Sequence, residues 1–243
     1  MTSITAIIIT HNEEERIAEA IASLSCCDEI LVIDSESTDR TREIAEQCGA
    51  RVIVHPWEGF ARQKNLGAEL ARNDWILSID ADERPSVELA GEIMKWKGLP
   101  AESAARSMPR RVSYFGAWIS HSGWYPDRKI RLFDRRVSHW QGAIHESLIV
   151  NAPIAQFQGD LLHFPYRDWA DHLRRIDRYT QTAADAAHAA GKRGNFLMLL
   201  CGPPISFIRT FFLRLGFMDG WRGALIAYAG ARYVFLRELR ILR

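Results

Sequence analysis

Short apolar runs alternate with helical periodicity along the first hundred residues. The runs at residues 5–10, 29–33, 51–55 and 75–79 are rich in β-branched side chains, and each predicts a buried strand. Between them, residues 13–24, 60–72 and a segment ending near Gln47 carry apolar positions on one helical face, and a further helix is predicted from Ser86. This order is typical of an α/β fold with a mainly parallel sheet between helices.

The rhythm changes after about residue 103. Segments rich in arginine and aromatic residues at 103–115, 129–133, 147–150 and 154–164 predict antiparallel or mixed-sheet strands joined by long loops. Asp168 is predicted to cap a long helix that runs through Ala190 and ends at Gly191. We therefore expect one main domain over residues 1–190.

The last part of the chain, residues 191–243, has a different charge balance. It contains nine Lys or Arg against two acidic residues, net +7, although the whole chain has 31 basic and 30 acidic residues. Residues 194–208 carry no charge, but 15 residues interrupted by Pro203 and Pro204 are fewer than the roughly 20 that span a bilayer. This predicts a separate helical tail that does not cross a membrane.

A basic arc is predicted on the last helix. At 100° per residue, its arginines fall within about 140° of one another, opposite alanine, valine and phenylalanine. These arginines are Arg222, Arg232, Arg237, Arg240 and Arg243. An interfacial helix on anionic lipid has this pattern, and so does a C-terminal helix packed on its own domain or on a second subunit.

Composition excludes some classes of protein. The overall balance of charge disfavours a nucleic-acid binder. The four cysteines, Cys26, Cys27, Cys48 and Cys201, form no CxxC pair and no metal-ligand spacing, which favours a reduced, cytoplasmic compartment. The apolar run at residues 4–9 lacks the basic flank of an export signal.

Two strands are predicted to end in a carboxylate. Residues 28–34 (DEILVID) and 74–80 (DWILSID) echo each other and place Asp34 and Asp80 at strand ends, where ligands of open α/β sheets bind. Asp82 follows, and an Asp-x-Asp can hold a divalent cation that bridges to phosphates. Aspartate at a strand end also forms turns and helix caps. Because residues 10–15 contain no glycine and no Gly-Lys-Ser/Thr loop is present, dehydrogenases and P-loop enzymes are disfavoured.

Four segments in order resemble the motifs of the family 2 inverting glycosyltransferases with the GT-A fold: residues 7–13 (IIITHNE), 32–39 (VIDSESTD), 61–67 (ARQKNLG) and 79–83 (IDADE). Residues 123–133, 144–146 and 216–220 resemble a narrower branch that includes bacterial glucosyltransferases of lipopolysaccharide core assembly. The resemblance implies transfer of a hexose, glucose in that branch, from a UDP-sugar to a lipid-linked glycan.

The resemblance also implies roles for particular residues. Thr10, Asn12, Glu13 and Asp34 contact the nucleotide, with Asp34 accepting from the base edge. Arg62 and Lys64 meet the nucleotide or the diphosphate, Asp80 faces the ribose and the metal, and Asp82 ligates Mg²⁺ or Mn²⁺. His163 is either a third metal ligand or a hydrogen-bonded core histidine. Arg128 and Arg131 either clamp phosphates or pair with Asp127 and Asp134.

Inversion requires a general base for the acceptor hydroxyl. The candidates are Glu146, Asp127 and Asp160, and Glu146 is favoured because the pair at residues 145–146 lies where relatives carry an acceptor motif. For each of these three carboxylates, the alternative to acting as a base is a salt bridge to one of the nearby arginines.

The expected protein is thus a metal-dependent transferase attached peripherally to the cytoplasmic face of a bacterial inner membrane. A sugar-1-phosphate nucleotidyltransferase and a non-catalytic binding protein on the same scaffold are the alternatives. The absence of a Gly-rich basic loop speaks against the first, and intact Asp34, Asp80 and Asp82 speak against the second.

Overall fold

A computed structural model describes residues 1–100, 103–142 and 146–242. The chain forms two compact units, one of Met1–Arg110 with Asp127–His163, the other of Arg111–Pro126 with Phe164–Arg243. The first is called the sheet unit and the second the helical unit. The predicted boundary at residue 190 falls inside the helical unit, whose C-terminal segment already begins at Phe164.

The first half of the sheet unit alternates strands and helices, as predicted. Four parallel strands lie in the order β3-β2-β1-β4. The elements are β1 (Ile4–Thr10), α1 (Ile17–Ala22), β2 (Glu29–Asp34), α2 (Thr41–Gln47), β3 (Arg51–Val54), α3 (Phe60–Leu70) and β4 (Trp75–Asp80), followed by β5 (Glu83–Pro85) and α4 (Val87–Lys97). The GT-A-like arrangement of a mainly parallel sheet between helices is confirmed.

The remaining strands continue the sheet with mixed direction, which agrees with the change of rhythm after residue 103. They are β6 (Ala105–Tyr114), β7 (Ala117–Trp118), β8 (Asp127–Asp134), β9 (Ser138–Gln141), β10 (Ser147–Val150), β11 (Ile154–Gln156) and β12 (Leu161–His163). Strand β8 lies antiparallel to β4 and to β6, and β12 pairs antiparallel with β5. Strands β9 and β10 form a separate antiparallel pair.

The core of the sheet unit lies on both faces of β1. Every residue of β1 is buried, because helices cover both faces of the sheet. The strand therefore lacks the alternation of apolar and polar residues that a half-exposed strand shows. Helix α3 approaches closely through Gly67, where an added Cβ would stand 2.5 Å from Cγ2 of Ile7. A larger residue there would push α3 away from the sheet.

Helix α1 is shorter than predicted, six residues instead of residues 13–24. The backbone N–H of Glu13 donates to the Thr41 hydroxyl at 2.8 Å, and that of Glu14 donates to the Asp39 carboxylate at 3.2 Å. These contacts between the two strand-end loops hold the first predicted turn outside the helix. Periodicity alone could not show this, because the partners are more than 20 residues away in sequence.

The C-terminal part of the helical unit contains α5 (Trp169–Ala189), α6 (Phe196–Ile208), a π-helical turn (Arg209–Leu213), a 3-10 turn (Gly216–Asp219) and α7 (Trp221–Ile241). The Asp168 side chain accepts from the backbone N–H of Asp171, so the predicted cap of α5 is confirmed. An aromatic core surrounds Tyr114, whose hydroxyl bonds to Nδ1 of His172 at 2.7 Å. Burial, aided by Arg175, lowers the pKa of His172 to about 4.

The described arginines of the predicted basic arc of α7 are partly buried and bind groups of their own unit. Arg222 donates to the carbonyls of Tyr114 and Phe115, and Arg240 contacts the Asp177 carbonyl and the Thr180 hydroxyl. Arg232 and Arg237 pair with Asp177 and Glu238. Arg243 lies outside the described residues. Carbonyls and carboxylates of the same unit bind the described arginines, which favours the packed helix over the lipid-facing arc.

The apolar helical run is longer than the uncharged segment at residues 194–208 indicated. Helix α6 continues into the π-helical turn, and Phe196–Leu213 forms one run of 18 residues with a mean hydropathy of 1.7. By length and composition alone, this run is able to cross a membrane. The uncharged segment ends before Arg209 because that residue is charged, although the helix continues beyond it.

Asp219 organises one loop of the helical unit. Its nearly buried carboxylate accepts hydrogen bonds from the backbone N–H groups of Ser120 and His121, from the Ser122 hydroxyl, and lies 3.2 Å from Nδ1 of His121. The two sequence segments around residues 123 and 217, noted separately above, therefore meet here. The carboxylate is the shared acceptor that fixes residues 120–122.

We expect Asp219→Asn to lower the free energy of unfolding by about 2–3 kcal/mol, because an amide NH₂ would face donors that need a charged acceptor. Thermal unfolding followed by circular dichroism measures this effect. Asp185→Asn is the matched control, since Asp185 is exposed on α5 and accepts a hydrogen bond from the exposed side chain of Gln181. Equal stability of the two variants would show that Asp219 does not hold the loop.

Candidate active site

The predicted strand-end residues lie at one edge of the parallel sheet. Thr10 is in register with Asp34 on β2, and Ile9 is in register with Asp80 on β4. Because the three strands run in the same direction, their carboxyl ends place Thr10, Asp34 and Asp80 side by side. This is the edge at which open α/β sheets bind ligands.

Asp34 lies beneath the loops of this edge. Its side chain is fully buried and accepts from the Thr10 hydroxyl at 3.0 Å and from the backbone N–H of Ser37 at 2.9 Å. Arg42 lies 3.8 Å away. These donors occupy the carboxylate, so in this conformation Asp34 orders the loop after β2. Its contact with a base edge stays a prediction.

Asn12 joins the loops that follow β1 and β2. Its backbone N–H donates to the Ser37 hydroxyl at 2.9 Å, and its side-chain oxygen accepts from the backbone N–H of Thr38 at 2.8 Å. Asn12 adopts a positive φ of 56°, which asparagine tolerates better than most residues. The backbone N–H of Glu13 donates to the Thr41 hydroxyl, which adds another hydrogen bond between the segments that follow β1 and β2. The motif residues at 10–13 thus build a fixed rim beside Asp34.

Asp80 is held between two cations. Nζ of the buried Lys64 lies 3.3 Å from Oδ1, and a guanidinium nitrogen of Arg131 lies 2.7 Å from Oδ2. Burial alone would raise the pKa of Asp80, but Arg131 and Lys64 outweigh it and hold that pKa well below its usual range. Asp80 is therefore a carboxylate at any physiological pH.

An alternating row of acids and bases extends from Asp80 in both directions, here called the charge row. On one side Arg131 also contacts Glu83 at 2.6 Å, Glu83 contacts Arg110 at 3.3 Å, and Arg110 contacts Asp127 at 2.6 Å. On the other side Lys64 contacts Glu146 at 3.0 Å. Lys129 contacts the other oxygen of Asp127 at 3.0 Å, so the row contains four carboxylates and four cations and its charges balance. Each charged group of the row is held in place beside the strand ends by its ion-pair partners.

Two of the three candidates for the general base, Glu146 and Asp127, belong to the charge row. At Asp127, burial acts to raise the pKa, but Lys129 and Arg110 lower it below its ordinary value. Both oxygens of Asp127 are in ion pairs, with Arg110 on Oδ2 and Lys129 on Oδ1. Glu146 uses Oε1 for Lys64. The neighbouring His145 lies outside the described residues.

Asp82 and His163 form a pair next to Asp80. Nε2 of His163 lies 3.5 Å from Oδ2 of Asp82, because β12 pairs with β5 and sets His163 opposite Glu83. Both side chains are partly exposed. A guanidinium nitrogen of Arg16 lies 3.9 Å from Oδ2 of Asp82. A carboxylate oxygen and an imidazole nitrogen at this separation suit two neighbouring positions around Mn²⁺ or Mg²⁺.

Within residues 1–100, 103–142 and 146–242 no three His, Cys, Asp or Glu side chains are grouped closely enough to form a complete metal cage. An ion held by Asp82 and His163 would thus need further oxygen ligands from elsewhere. A nucleoside diphosphate supplies such oxygens, and Mg²⁺ is commonly bound by one or two carboxylates together with substrate phosphates. The residues present fit a metal that binds together with its substrate.

The structure does not bring every predicted residue to this site. The exposed Arg62 pairs with Glu58 one helical turn away, as a surface ion pair of α3. Arg128 donates to the Phe157 carbonyl and to the Gln158 side chain. Arg131 pairs with Asp80 and Glu83, and Asp134 pairs with Arg136 instead. Phosphate contacts by Arg62 and Arg128 remain predictions.

Sequence reasoning missed Glu83 and Arg110. Glu83 is completely buried and binds two arginines of the charge row, Arg131 and Arg110. It directly follows the Asp-x-Asp segment, but a single glutamate after a turn gives no sign of burial. Arg110 was one of several arginines in β6. Only the pairing of β6 with β8 shows which of them meets Asp127.

Comparisons with known proteins identify the family of the chain. The model of "Glycosyl transferase family 2" matches residues 5–145. A protein of Rickettsia typhi described as an uncharacterized glycosyltransferase is 32% identical over 257 residues, covering 100% of this chain and 88% of that protein. The lipopolysaccharide core biosynthesis glycosyltransferase LpsC of Rhizobium meliloti is 29% identical over 246 residues, covering 98% and 91%. The chain belongs to glycosyltransferase family 2.

A solved structure shows the same fold. The crystal structure of S. aureus TarS residues 1–349 in complex with UDP-GlcNAc has a TM-score of 0.50, with 14% identity, and covers 98% of this chain and 90% of that one. At this identity the likeness concerns the fold alone. Membership of the family confirms the predicted class of enzyme, a glycosyltransferase, and disfavours the nucleotidyltransferase alternative.

Proposed function

We propose that this protein is an inverting, metal-dependent glycosyltransferase that moves a hexose from a UDP-sugar to a hydroxyl of a lipid-linked bacterial glycan. The observation that carries the proposal is the Asp82–His163 pair beside the charge row, at the carboxyl edge of β1, β2 and β4. The rim at residues 10–13 would take the nucleoside, and Asp80 would face the ribose. Lipopolysaccharide core is the acceptor that similarity to LpsC supports.

The chemistry concerns the leaving group. Asp82 and His163 would hold Mn²⁺ or Mg²⁺, with Asp80 adjacent, and the ion supplies positive charge for the departing diphosphate. Lys64 and Arg131 keep Asp80 ionised and oriented, because each binds one of its two oxygens. No step here needs a covalent enzyme intermediate.

Glu146 is the general base that the geometry favours. A base needs an oxygen that can accept a proton, and Asp127 has an ion pair at both oxygens and a lowered pKa. Oε1 of Glu146 accepts from Lys64, and Oε2 would take the proton of the acceptor hydroxyl. Lys64 would orient the glutamate, as a second group commonly orients a catalytic base. Asp160 remains the third candidate.

A lipid-linked acceptor would place the enzyme at the cytoplasmic face of the inner membrane, with an anionic lipid surface as partner. Support comes from the apolar run at Phe196–Leu213 and from the similarity to LpsC.

A donor screen tests the reaction itself. Purified protein is incubated with a panel of UDP- and GDP-sugars, with and without purified core acceptor, and nucleoside diphosphate release is measured. We expect acceptor-dependent release from one UDP-hexose, UDP-glucose first. Absence of release from every donor, with the acceptor present and the protein folded, would favour the non-catalytic binding protein.

A further inference from the structure

One face of α6 is apolar and has no partner within the helical unit. At 100° per residue, a set of its side chains falls within an arc of about 140°. The set comprises Leu197, Leu200, Cys201, Ile205 and Ile208. Leu197, Leu200 and Ile205 are 66%, 60% and 61% exposed, which is far more than large apolar side chains of a packed helix show.

The opposite face of α6 is packed. An added Cβ at Gly202 would stand 2.9 Å from Val234 of α7, and one at Gly230 would stand 3.6 Å from the Ser206 hydroxyl. Small residues on both helices thus allow close contact. Because α6 is attached along its length to α7, which carries several arginines, it is placed to lie on a surface rather than to cross a bilayer alone.

The apolar surface continues beyond α6. Phe212 and Leu213 in the π-helical turn, Phe217 and Met218 in the 3-10 turn, and Trp221 at the start of α7 are all about half exposed or more. An exposed apolar surface of this continuity marks an interaction site on a soluble domain. Tryptophan at its margin suits the headgroup region of a bilayer.

The charges around this surface favour an anionic lipid partner. No acidic residue lies between Asp185 and Asp219 in the sequence. Lys192 and Arg193 precede α6, and Arg209 and Arg214 follow it, all four exposed. An apolar helix with cations at both ends and no acids matches a lipid surface with negative headgroups over a hydrocarbon layer.

We propose that α6 and the turns after it are a membrane-insertion face, which buries Leu197, Leu200, Ile205 and their neighbours in the hydrocarbon boundary of a bilayer. The inference rests on the proposed membrane location and names the element responsible. Apolar burial supplies most of the affinity, and the flanking cations add to it. The arginines of α7 do not take part, because their own unit binds them.

Vesicle sedimentation tests the proposal without any transfer assay. A negative result of the donor screen is therefore distinguishable from a lack of membrane binding by α6. The full chain should bind phosphatidylcholine vesicles, bind a few-fold more tightly when phosphatidylglycerol is added, and stay bound in about 1 M salt, where the Debye length is about 3 Å. The double variant Leu200→Asp with Ile205→Asp should lose binding by about a hundredfold. Leu99→Asp, an equally exposed leucine of the sheet unit, should bind like the wild type.

An environment-sensitive fluorophore on the exposed Cys201 gives a second, independent reading. The variant Cys27→Ser with Cys48→Ser directs the label to α6, and a label on exposed Cys48 in Cys27→Ser with Cys201→Ser is the control. Only the Cys201 label should shift to the blue on adding vesicles. Binding that needs phosphatidylglycerol and is lost in salt, or an unshifted Cys201 label, would overturn the proposal. A dimer that the aspartate variant disperses, with no vesicle binding, would assign the face to a second copy instead.

Discussion

Asp82→Ala should fold normally and lose transfer by about 10³-fold or more, because the diphosphate leaving group would depart without its cation. A loss of this size corresponds to about 4 kcal/mol of transition-state stabilisation, which is within the range of a bound metal acting on developing negative charge. The measurement is initial rate with saturating donor and acceptor. EDTA should abolish wild-type activity, and added Mn²⁺ or Mg²⁺ should restore it.

Asp74→Ala is the matched control. Asp74 precedes β4 and Asp80 ends it, so the control removes a carboxylate from the opposite end of the same strand. Asp74 pairs with Arg135 and Arg136 at the surface, where an ion pair contributes little. We expect nearly wild-type rates from this variant. Full activity of Asp82→Ala, or unchanged wild-type activity in metal-free buffer, would contradict the assignment of the metal ligand.

The second large effect is expected at Glu146. Glu146→Gln should lower the chemical rate by roughly 10²–10⁴-fold and leave donor affinity nearly unchanged, since the amide keeps the shape but cannot accept the proton. Single-turnover rates and donor binding, measured separately, check the two parts. The pair with Lys64 makes the donor measurement essential, because a disturbed Lys64 would also release Asp80.

Asp127→Asn provides the comparison for the base. Asp127 belongs to the same charge row and is bound by Arg110 and Lys129. We expect a smaller loss from this variant, arising from a displaced Arg110. Unaltered turnover of Glu146→Gln with a severe loss in Asp127→Asn would transfer the role of base to Asp127.

The parallel half of the sheet could be predicted because its strands are buried on both faces. Continuous apolar runs such as residues 5–10 and 75–79 need no alternation, and their lengths match β1 and β4 closely. The first turn of α1 could not be predicted in the same way. It depends on hydrogen bonds to Thr41 and Asp39, which the chain brings close only after β2 has formed.

The candidate site shows the same limit. Motif positions identify Asp34, Asp80 and Asp82, but the sequence does not reveal that Asp34 is buried or that Glu83 links two arginines. Which arginine meets which carboxylate depends on strand pairing, as β6 and β8 show. Helical periodicity likewise places the arginines of α7 on one arc, but it does not distinguish arginines that face lipid from arginines that bind groups of their own unit.

UDP binding by calorimetry tests the central claim most directly, because it needs neither the acceptor nor the donor sugar. In the wild type, Mn²⁺ should tighten UDP binding by about tenfold or more, since the ion supplies a ligand bridge to the diphosphate. In Asp82→Ala and in His163→Ala this gain should shrink or vanish, while Asp74→Ala should keep it. An equal gain from Mn²⁺ in all four proteins would contradict a metal site formed by Asp82 and His163.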